Sequence, residues 1–233
     1  MTKMVIQSIV TEARQRRPGS DSRFSFFPSL CPRAYGKIKE RRSSVMNASV
    51  DISNVTLKTP RLVLRPWRQS DLDDFFEYAS VEGVGEMVGW RHHKYKDQTQ
   101  EILNTFIGSK KIWCVEYQGK AVGSFTLEDT REQYVPEFFD ETIRELGFIL
   151  AKPLWGQGLM KEAVDAALDY LFKEVGCTLV IYGYFEGNIR AEKLMKKCGF
   201  QTYQKISVTS RLGSAETVIQ GLMWKKDWLK IHP

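Results

Sequence analysis

The sequence predicts a single α/β domain built on a mixed β-sheet, and three observations lead to that prediction. The chain has 233 residues, of which 42% are hydrophobic, enough apolar mass for one sizeable core. Residues 145–182 follow the order strand, glycine loop, amphipathic helix and strand, which requires a crossover between near-parallel strands. A hairpin pattern at residues 112–127 adds antiparallel strands, so the sheet is mixed.

The first half of the predicted domain alternates between strands and helices. Residues 61–65 alternate as a strand does, and Ser70 to Asp73 has the spacing of a capping box at a helix start. Residues 97–106 return to helical spacing. Residues 112–117 and 121–127 then flank Gln118-Gly119-Lys120, which predicts a hairpin.

The second half contains the crossover. Residues 145–150 predict a strand, residues 155–158 a glycine loop, and residues 160–172 a helix with one apolar stripe that Gly176 closes. Residues 179–182 are apolar throughout, as in a strand that is buried on both faces. A second helix at residues 189–197 precedes the last strands, which run from Phe200 to Trp224.

The positive charge is concentrated at the N-terminus. Residues 1–50 contain ten Lys and Arg against three acids, a net of +7, whereas the rest has 24 basic and 25 acidic residues. The body of the chain therefore gives no sign of a nucleic-acid partner. We expect residues 1–55 to be a mobile basic extension and residues 56–233 to be the domain. The extension also has the composition of a transit peptide, so import into an organelle is the alternative to a cytoplasmic location.

Two further classes of protein are disfavoured. No uninterrupted apolar run reaches the roughly 18 residues that a membrane span needs, so we expect a soluble protein without a membrane partner. The four cysteines lack CxxC spacing and the chain has only three histidines, so we expect no metal.

The glycine loop is the segment with the clearest chemistry. Amides at a helix start lack partners, and glycines at 156 and 158 let a ligand approach the main chain, which together with the helix dipole suits phosphate oxygens. ATPase and nicotinamide functions are disfavoured, because there is no Gly-Lys-Ser/Thr and Lys161 stands where a dinucleotide fingerprint has its third glycine. The alternative is that the two glycines only make a tight turn.

Several motifs together resemble the GNAT superfamily of acyl-CoA-dependent N-acetyltransferases over residues 59–224. They are Glu145-Leu146-Gly147-Phe148, the run from Trp155 to Ala163, and Asn188 ahead of Lys196-Lys197-Cys198-Gly199-Phe200. Thr59 to Pro66, followed by a Ser-Asp-Leu helix start, is similar to the RimJ/RimL branch. The resemblance implies a mostly antiparallel central sheet with one splayed parallel strand pair and flanking helices.

The resemblance also implies acetyl-CoA as the cosubstrate. In the family a bulged strand admits the pantetheine arm, which places Phe148, Ile149 and Leu150 beside the thioester. Asn188 would lie near the pantetheine. The pyrophosphate would bind main-chain amides of the loop formed by Trp155, Gly156, Gln157, Gly158, Leu159 and Met160. The sequence departs from the family at Met195, where many members carry a proton-donating tyrosine.

Acetyl transfer requires an uncharged amine and therefore a proton acceptor. Glu145 is the candidate general base because it would share a sheet face with Gly147 and Ile149; the alternative is an exposed carboxylate at a strand end. Trp90 and Tyr134 lie in aromatic loops where the superfamily shapes its acceptor cleft, so we expect both to contact the substrate.

These inferences predict an N-acetyltransferase that moves acetyl from acetyl-CoA to a primary amine by direct attack in a ternary complex. The expected acceptor is a protein N-terminus or a side-chain amine. One alternative is a small-molecule amine such as a polyamine, amino acid or aminoglycoside, and another is a CoA-binding protein without turnover. A monomer and a homodimer are equally compatible with the sequence.

Overall fold

A computed structural model describes residues 46–232 of the chain. Most of the predicted mobile extension, residues 1–45, lies outside the described residues, as does the candidate transit segment within it. Within residues 46–232, no helix has the length and apolarity that a bilayer span requires.

The described residues form one sheet of eight strands. The strands are β1 (Leu57–Lys58), β2 (Leu62–Pro66), β3 (Ile112–Tyr117), β4 (Lys120–Glu128), β5 (Ile143–Leu150), β6 (Leu179–Phe185), β7 (Gln201–Thr209) and β8 (Ala215–Trp224). Their order across the sheet is β1-β2-β3-β4-β5-β6-β8-β7. Only β5 and β6 pair in parallel, and the other neighbours are antiparallel. The predicted mixed, mostly antiparallel sheet is confirmed.

Helices cover both faces of the sheet. They are α1 (Leu72–Ala79), α2 (Lys96–Ser109), α3 (Leu159–Tyr170), α4 (Ile189–Lys197) and α5 (Lys225–Ile231). The apolar stripe of α3 packs with Met195 of α4 in the main core, whereas α1 and α2 pack in a second cluster on the opposite face. Helix α5 was not predicted, because it is short and begins with two lysines; its buried Trp228 donates to Asp169 Oδ1 at 2.8 Å.

Strands β5 and β6 separate part of the way along their length. Their pairing runs from Ile143–Leu179 to Leu146–Tyr182 and then stops, although β5 continues to Leu150 and β6 to Phe185. The β4–β5 register is continuous from Glu128–Glu145 to Gly123–Leu150, so the bulge that the resemblance implied is absent from this pair. A Cβ on Gly123 would lie 2.3 Å from the Ile149 carbonyl oxygen, so only glycine allows this approach of β5.

The folded region begins before the predicted boundary at residue 55. Ala48, Val50 and Ile52 are buried in the main core, and Asn47 forms a parallel bridge with Ile143. Residues 46–55 are therefore packed against the domain instead of being part of a mobile extension. An apolar alternation this short carries too little periodicity to identify a packed segment, and its partners lie far away in the sequence.

Replacing Ile52 with alanine should lower the free energy of unfolding by about 2–4 kcal/mol, because the side chain is 1% exposed and its loss leaves a cavity. Chemical denaturation measures the change. The exposed Ser49 provides the control, and Ser49→Ala should change stability by less than about 0.5 kcal/mol. Equal stability of both variants would show that the segment does not pack as described.

Candidate functional site

A cavity of about 780 Å³ opens where β5 and β6 separate. Its walls come from these two strands, from Val218 of β8, from the loop at residues 152–158, from the first residues of α3, from one side of α4 along its length, and from residues 84–88. Nearly all of the predicted cofactor-binding residues line it, namely Phe148, Ile149, Leu150, Trp155, Gly156, Gly158, Leu159, Met160 and Asn188. The structure thus brings together in space residues that are distant in the sequence.

The glycine loop presents its main chain to the cavity. Gly156 and Gly158 have φ values of +78° and +80°, in the left-handed region that favours glycine. A Cβ on Gly156 would meet no atom within 4 Å, and Gly158 is the N-cap of α3 without a side chain to cap it. The first amides of α3 are therefore free to bind an anion. Gln157 does not line the cavity, and its Nε2 donates to the Pro153 carbonyl at 3.0 Å.

The described lining contains five cationic side chains and no Asp or Glu. The cations are Lys152, Lys161, Arg190, Lys193 and Lys197. The Arg190 guanidinium lies 4.4 Å from the centroid of the Trp155 ring, a cation–π contact. This charge suits a ligand with several negative charges.

Sequence reasoning missed the cations of α4 because lysines and arginines on a helix usually face solvent. Positions 190, 193 and 197 follow each other by three and four residues, which places them on one face of the helix. That spacing next to Asn188 is the signal that could have found them.

Asn188 lines the cavity at the start of α4, whereas Met195 of the same helix is not among the lining residues. Asn188 Oδ1 accepts a hydrogen bond from the Ala191 amide at 3.2 Å and caps the helix, which leaves the Nδ2 hydrogens for a ligand. Met195 is 1% exposed and cannot donate a proton. The phenols that line the cavity are Tyr182 and Tyr184, and burial raises the pKa of both, so both remain protonated at neutral pH.

Glu145 lies beside the cavity instead of lining it. Gly147 and Ile149 alternate with it on the same face of β5 and do line the cavity. Glu145 is close to Gly183, which lines the cavity: a Cβ placed on Gly183 would lie 3.6 Å from one of the Glu145 carboxyl oxygens. Burial raises the pKa of Glu145 to about 7, while the Thr130 hydroxyl, the Arg131 charge and the Gln220 side chain act to lower it. A carboxyl group with this pKa can accept a proton near neutrality.

Glu128 faces Glu145 directly across the β4–β5 pair. Burial, together with the negative charge of Glu145, raises the pKa of Glu128 to about 7, and the Arg211 charge acts against this. Two carboxyl groups this close titrate as a pair. The predicted strand ends at residue 127, one residue before Glu128, and the register that pairs Glu128 with Glu145 is visible only in the sheet.

The two residues predicted to contact the substrate lie outside the cavity lining. Trp90 packs on Gly85, with its ring centroid 5.0 Å from that of His93. Tyr134 is half-buried beside the cluster around Val135, and its carbonyl accepts a hydrogen bond from Gln204 Nε2 at 2.6 Å. The lining on the Glu145 face is aliphatic and aromatic instead, formed by Val84, Met87, Val88, Phe185 and Val218.

Among residues 46–232, no group of three or more His, Cys, Asp or Glu side chains is arranged to hold a metal ion. The polar groups at the cavity are main-chain amides, cations and phenols, with the Glu128–Glu145 pair beside it.

Most of the residues that line the cavity belong to a part of the chain that matches a known protein family. The family model described as an acetyltransferase (GNAT) domain matches residues 61–201. The fold is similar to that of a GNAT-family acetyltransferase from Bacillus anthracis, with a TM-score of 0.64 and 18% identity over 74% of this chain and 99% of that chain.

Two more solved structures share the fold. For the ribosomal-protein-S5-alanine acetyltransferase from Vibrio fischeri the TM-score is 0.57, with 17% identity over 75% of this chain and 99% of that chain. For the spermidine N-acetyltransferase from Vibrio cholerae in complex with CoA and spermine the TM-score is 0.59, with 19% identity over 73% and 99%.

Replacing Gly158 with glutamate should weaken CoA binding by about tenfold or more, because a carboxylate would stand at the amides that are predicted to bind phosphate. Calorimetry with CoA measures this. Gly176→Glu is the matched control, since Gly176 has φ of +82° at the other end of the same helical segment, and a Cβ there would meet no atom within 4 Å. Equal affinity of the two variants would exclude the loop from the binding site.

Proposed function

Because the chain belongs to the GNAT acetyltransferase family and so uses acetyl-CoA, we propose that it acetylates a primary amine of a protein N-terminus or side chain. The observation that carries the proposal is the cavity between the separated ends of β5 and β6, which has a glycine-flanked helix start on one side and a carboxyl pair on the other.

The separated strands suit the pantetheine arm. Beyond Leu146, the edge of β5 that faces β6 has lost its strand partner, so its main-chain groups can bind an extended amide chain as a further strand would. Phe148, Ile149 and Leu150 supply this edge. The pyrophosphate would then reach the amides at the start of α3, with the cations of α4 beside it.

Glu145 is the proposed general base. An acceptor ammonium first gives one proton to the Glu145 carboxylate, and the neutral nitrogen then forms a bond to the thioester carbonyl carbon. Main-chain amides of β5 would stabilise the resulting oxyanion. When the carbon–sulfur bond breaks, a phenol such as Tyr182 or Tyr184 can supply a proton to sulfur and then recovers one from solvent, and the nitrogen loses its second proton to solvent.

The protonation of the amine and the apolar lining near Glu145 support a peptide N-terminus as the acceptor. A peptide N-terminus brings one amine with a pKa of about 8, against about 10.4 for a lysine side chain, so less of it needs deprotonation. The aliphatic lining around Val88 and Phe185 suits the residues that follow such an amine.

Glu145→Gln should lower kcat by about 10²-fold and leave the KM for acetyl-CoA nearly unchanged, because an amide cannot accept the proton. In the unmodified enzyme kcat should rise with pH through about 7, as Glu145 ionises, and the variant should lose this limb. Thiol release at saturating acetyl-CoA measures both effects.

The exposed Glu137 provides the control, and Glu137→Gln should retain the full rate and the pH profile. If Glu145→Gln also retained the full rate, Glu145 would not be the base.

Peptides with a free N-terminal serine or alanine should be acetylated faster than spermidine at equal concentration, since an α-amine is less protonated at neutral pH and the aliphatic lining suits the residues that follow it. Mass spectrometry of the products, with thiol release in parallel, measures both reactions. Acetylation of spermidine alone would favour a small-molecule acceptor. Binding of CoA without thiol release from any amine would favour a protein without turnover.

A further inference from the structure

The segment that precedes the family domain is attached to β5 and to the loop that follows β4. The Met46 carbonyl accepts a hydrogen bond from the Ile143 amide at 2.6 Å, and the Ala48 amide donates to the Ile143 carbonyl at 3.2 Å. Between them, Asn47 Oδ1 accepts from the Thr130 amide at 2.8 Å, and Asn47 Nδ2 donates to the Thr130 carbonyl at 3.0 Å. One side chain thus fixes both polar groups of the Thr130 main chain, 83 residues away.

Thr130 is itself placed against the proposed general base. Thr130 is only 4% exposed, and its Oγ1 has no hydrogen-bond partner among the described residues. Thr130 lies two residues beyond Glu128, which pairs with Glu145 across β4 and β5, and its hydroxyl acts to lower the pKa of the Glu145 carboxyl group. Since Asn47 holds the main chain of Thr130, it also determines where this hydroxyl lies.

We propose that Asn47 is a positioning residue for acetyl transfer, which holds the Thr130 hydroxyl against the carboxyl group of Glu145. The proposal rests on the proposed function, because it requires Glu145 to be the base. It assigns a role in the reaction to a residue outside residues 61–201, the part of the chain that the family model matches.

The other groups that act on Glu145 belong to parts of the fold that the Asn47 side chain does not bind. Glu128 comes from β4, Arg131 from the loop that follows it, and Gln220 from β8. Arg211, between β7 and β8, acts on Glu128. The hydrogen bonds of the Asn47 side chain go to Thr130, so an effect of Asn47 on Glu145 should pass through Thr130.

A merely structural role for Asn47 makes a different prediction. If the residue only fastened the N-terminal segment, Asn47→Ala would lower Tm and leave the titration of Glu145 unchanged. Thr130→Val separates the two roles, because it removes the hydroxyl and keeps the main-chain groups that Asn47 binds. Valine matches threonine in shape, and the hydroxyl it removes has no partner of normal geometry, so this variant should fold.

The test is the titration of Glu145 in the full-length protein, followed by carbon-13 NMR of labelled glutamate carboxyl groups. The resonance that disappears in Glu145→Gln identifies the residue. In Thr130→Val and in Asn47→Ala the pKa of Glu145 should rise by about one pH unit or less, because the carboxylate loses a stabilising neighbour. The double variant should equal Thr130→Val alone, and Ser49→Ala should titrate as the unmodified protein does.

Kinetics provide the second measurement. A rise of about one unit from a pKa near 7 would lower kcat roughly fivefold at pH 7, with the KM for acetyl-CoA unchanged. An unmoved Glu145 titration in both Asn47→Ala and Thr130→Val would overturn the positioning role even if Glu145→Gln is inactive. Full activity of Glu145→Gln would overturn the general-base function, and with it the role of Asn47, whatever the titration shows.

Discussion

The separation of β5 from β6 is the constraint on which the rest of the site depends. A sheet normally satisfies the main-chain amides and carbonyls of its inner strands on both sides, and leaving such groups buried without partners is costly. Here β4 holds β5 on one side along its whole length, and β8 holds β6 up to Phe185. The unpaired edges therefore face each other across a gap that is rigid on both sides, and a ligand with an amide chain can take the place of the missing strand.

The glycine loop and the start of α3, at one end of this gap, are also preformed for binding. Left-handed glycines at 156 and 158 direct the chain into α3, and the absence of a capping side chain leaves its first amides open. Cations from α3 and α4 line the cavity, Lys161 is paired with Asp165, and Arg190 is held over the Trp155 ring. Fixed groups of this kind reduce the conformational entropy that binding would otherwise cost.

Much of this arrangement is predictable from sequence because it depends on local patterns. The apolar stripe of α3, the two glycines and the capping position of Asn188 are each defined within a few residues. What escaped prediction depends on distant partners: Glu128 meets Glu145 only through strand register, and Asn47 meets Thr130 only in the folded sheet. Trp90 and Tyr134 pack against two hydrophobic clusters instead of lining the cavity, because aromatic residues in a loop serve a core as readily as a cleft.

The buried methionine at position 195 does not by itself indicate loss of turnover. A thiol has a pKa of about 8.5, so a thiolate leaving group needs little assistance near neutrality, whereas an ammonium acceptor must lose its proton before it can attack. The demanding proton transfer is thus the one at nitrogen, and it falls on the face where Glu128 and Glu145 lie together. Because burial raises the pKa of both carboxyl groups to about 7, this pair is suited to take up a proton from an amine and return it to solvent at neutral pH.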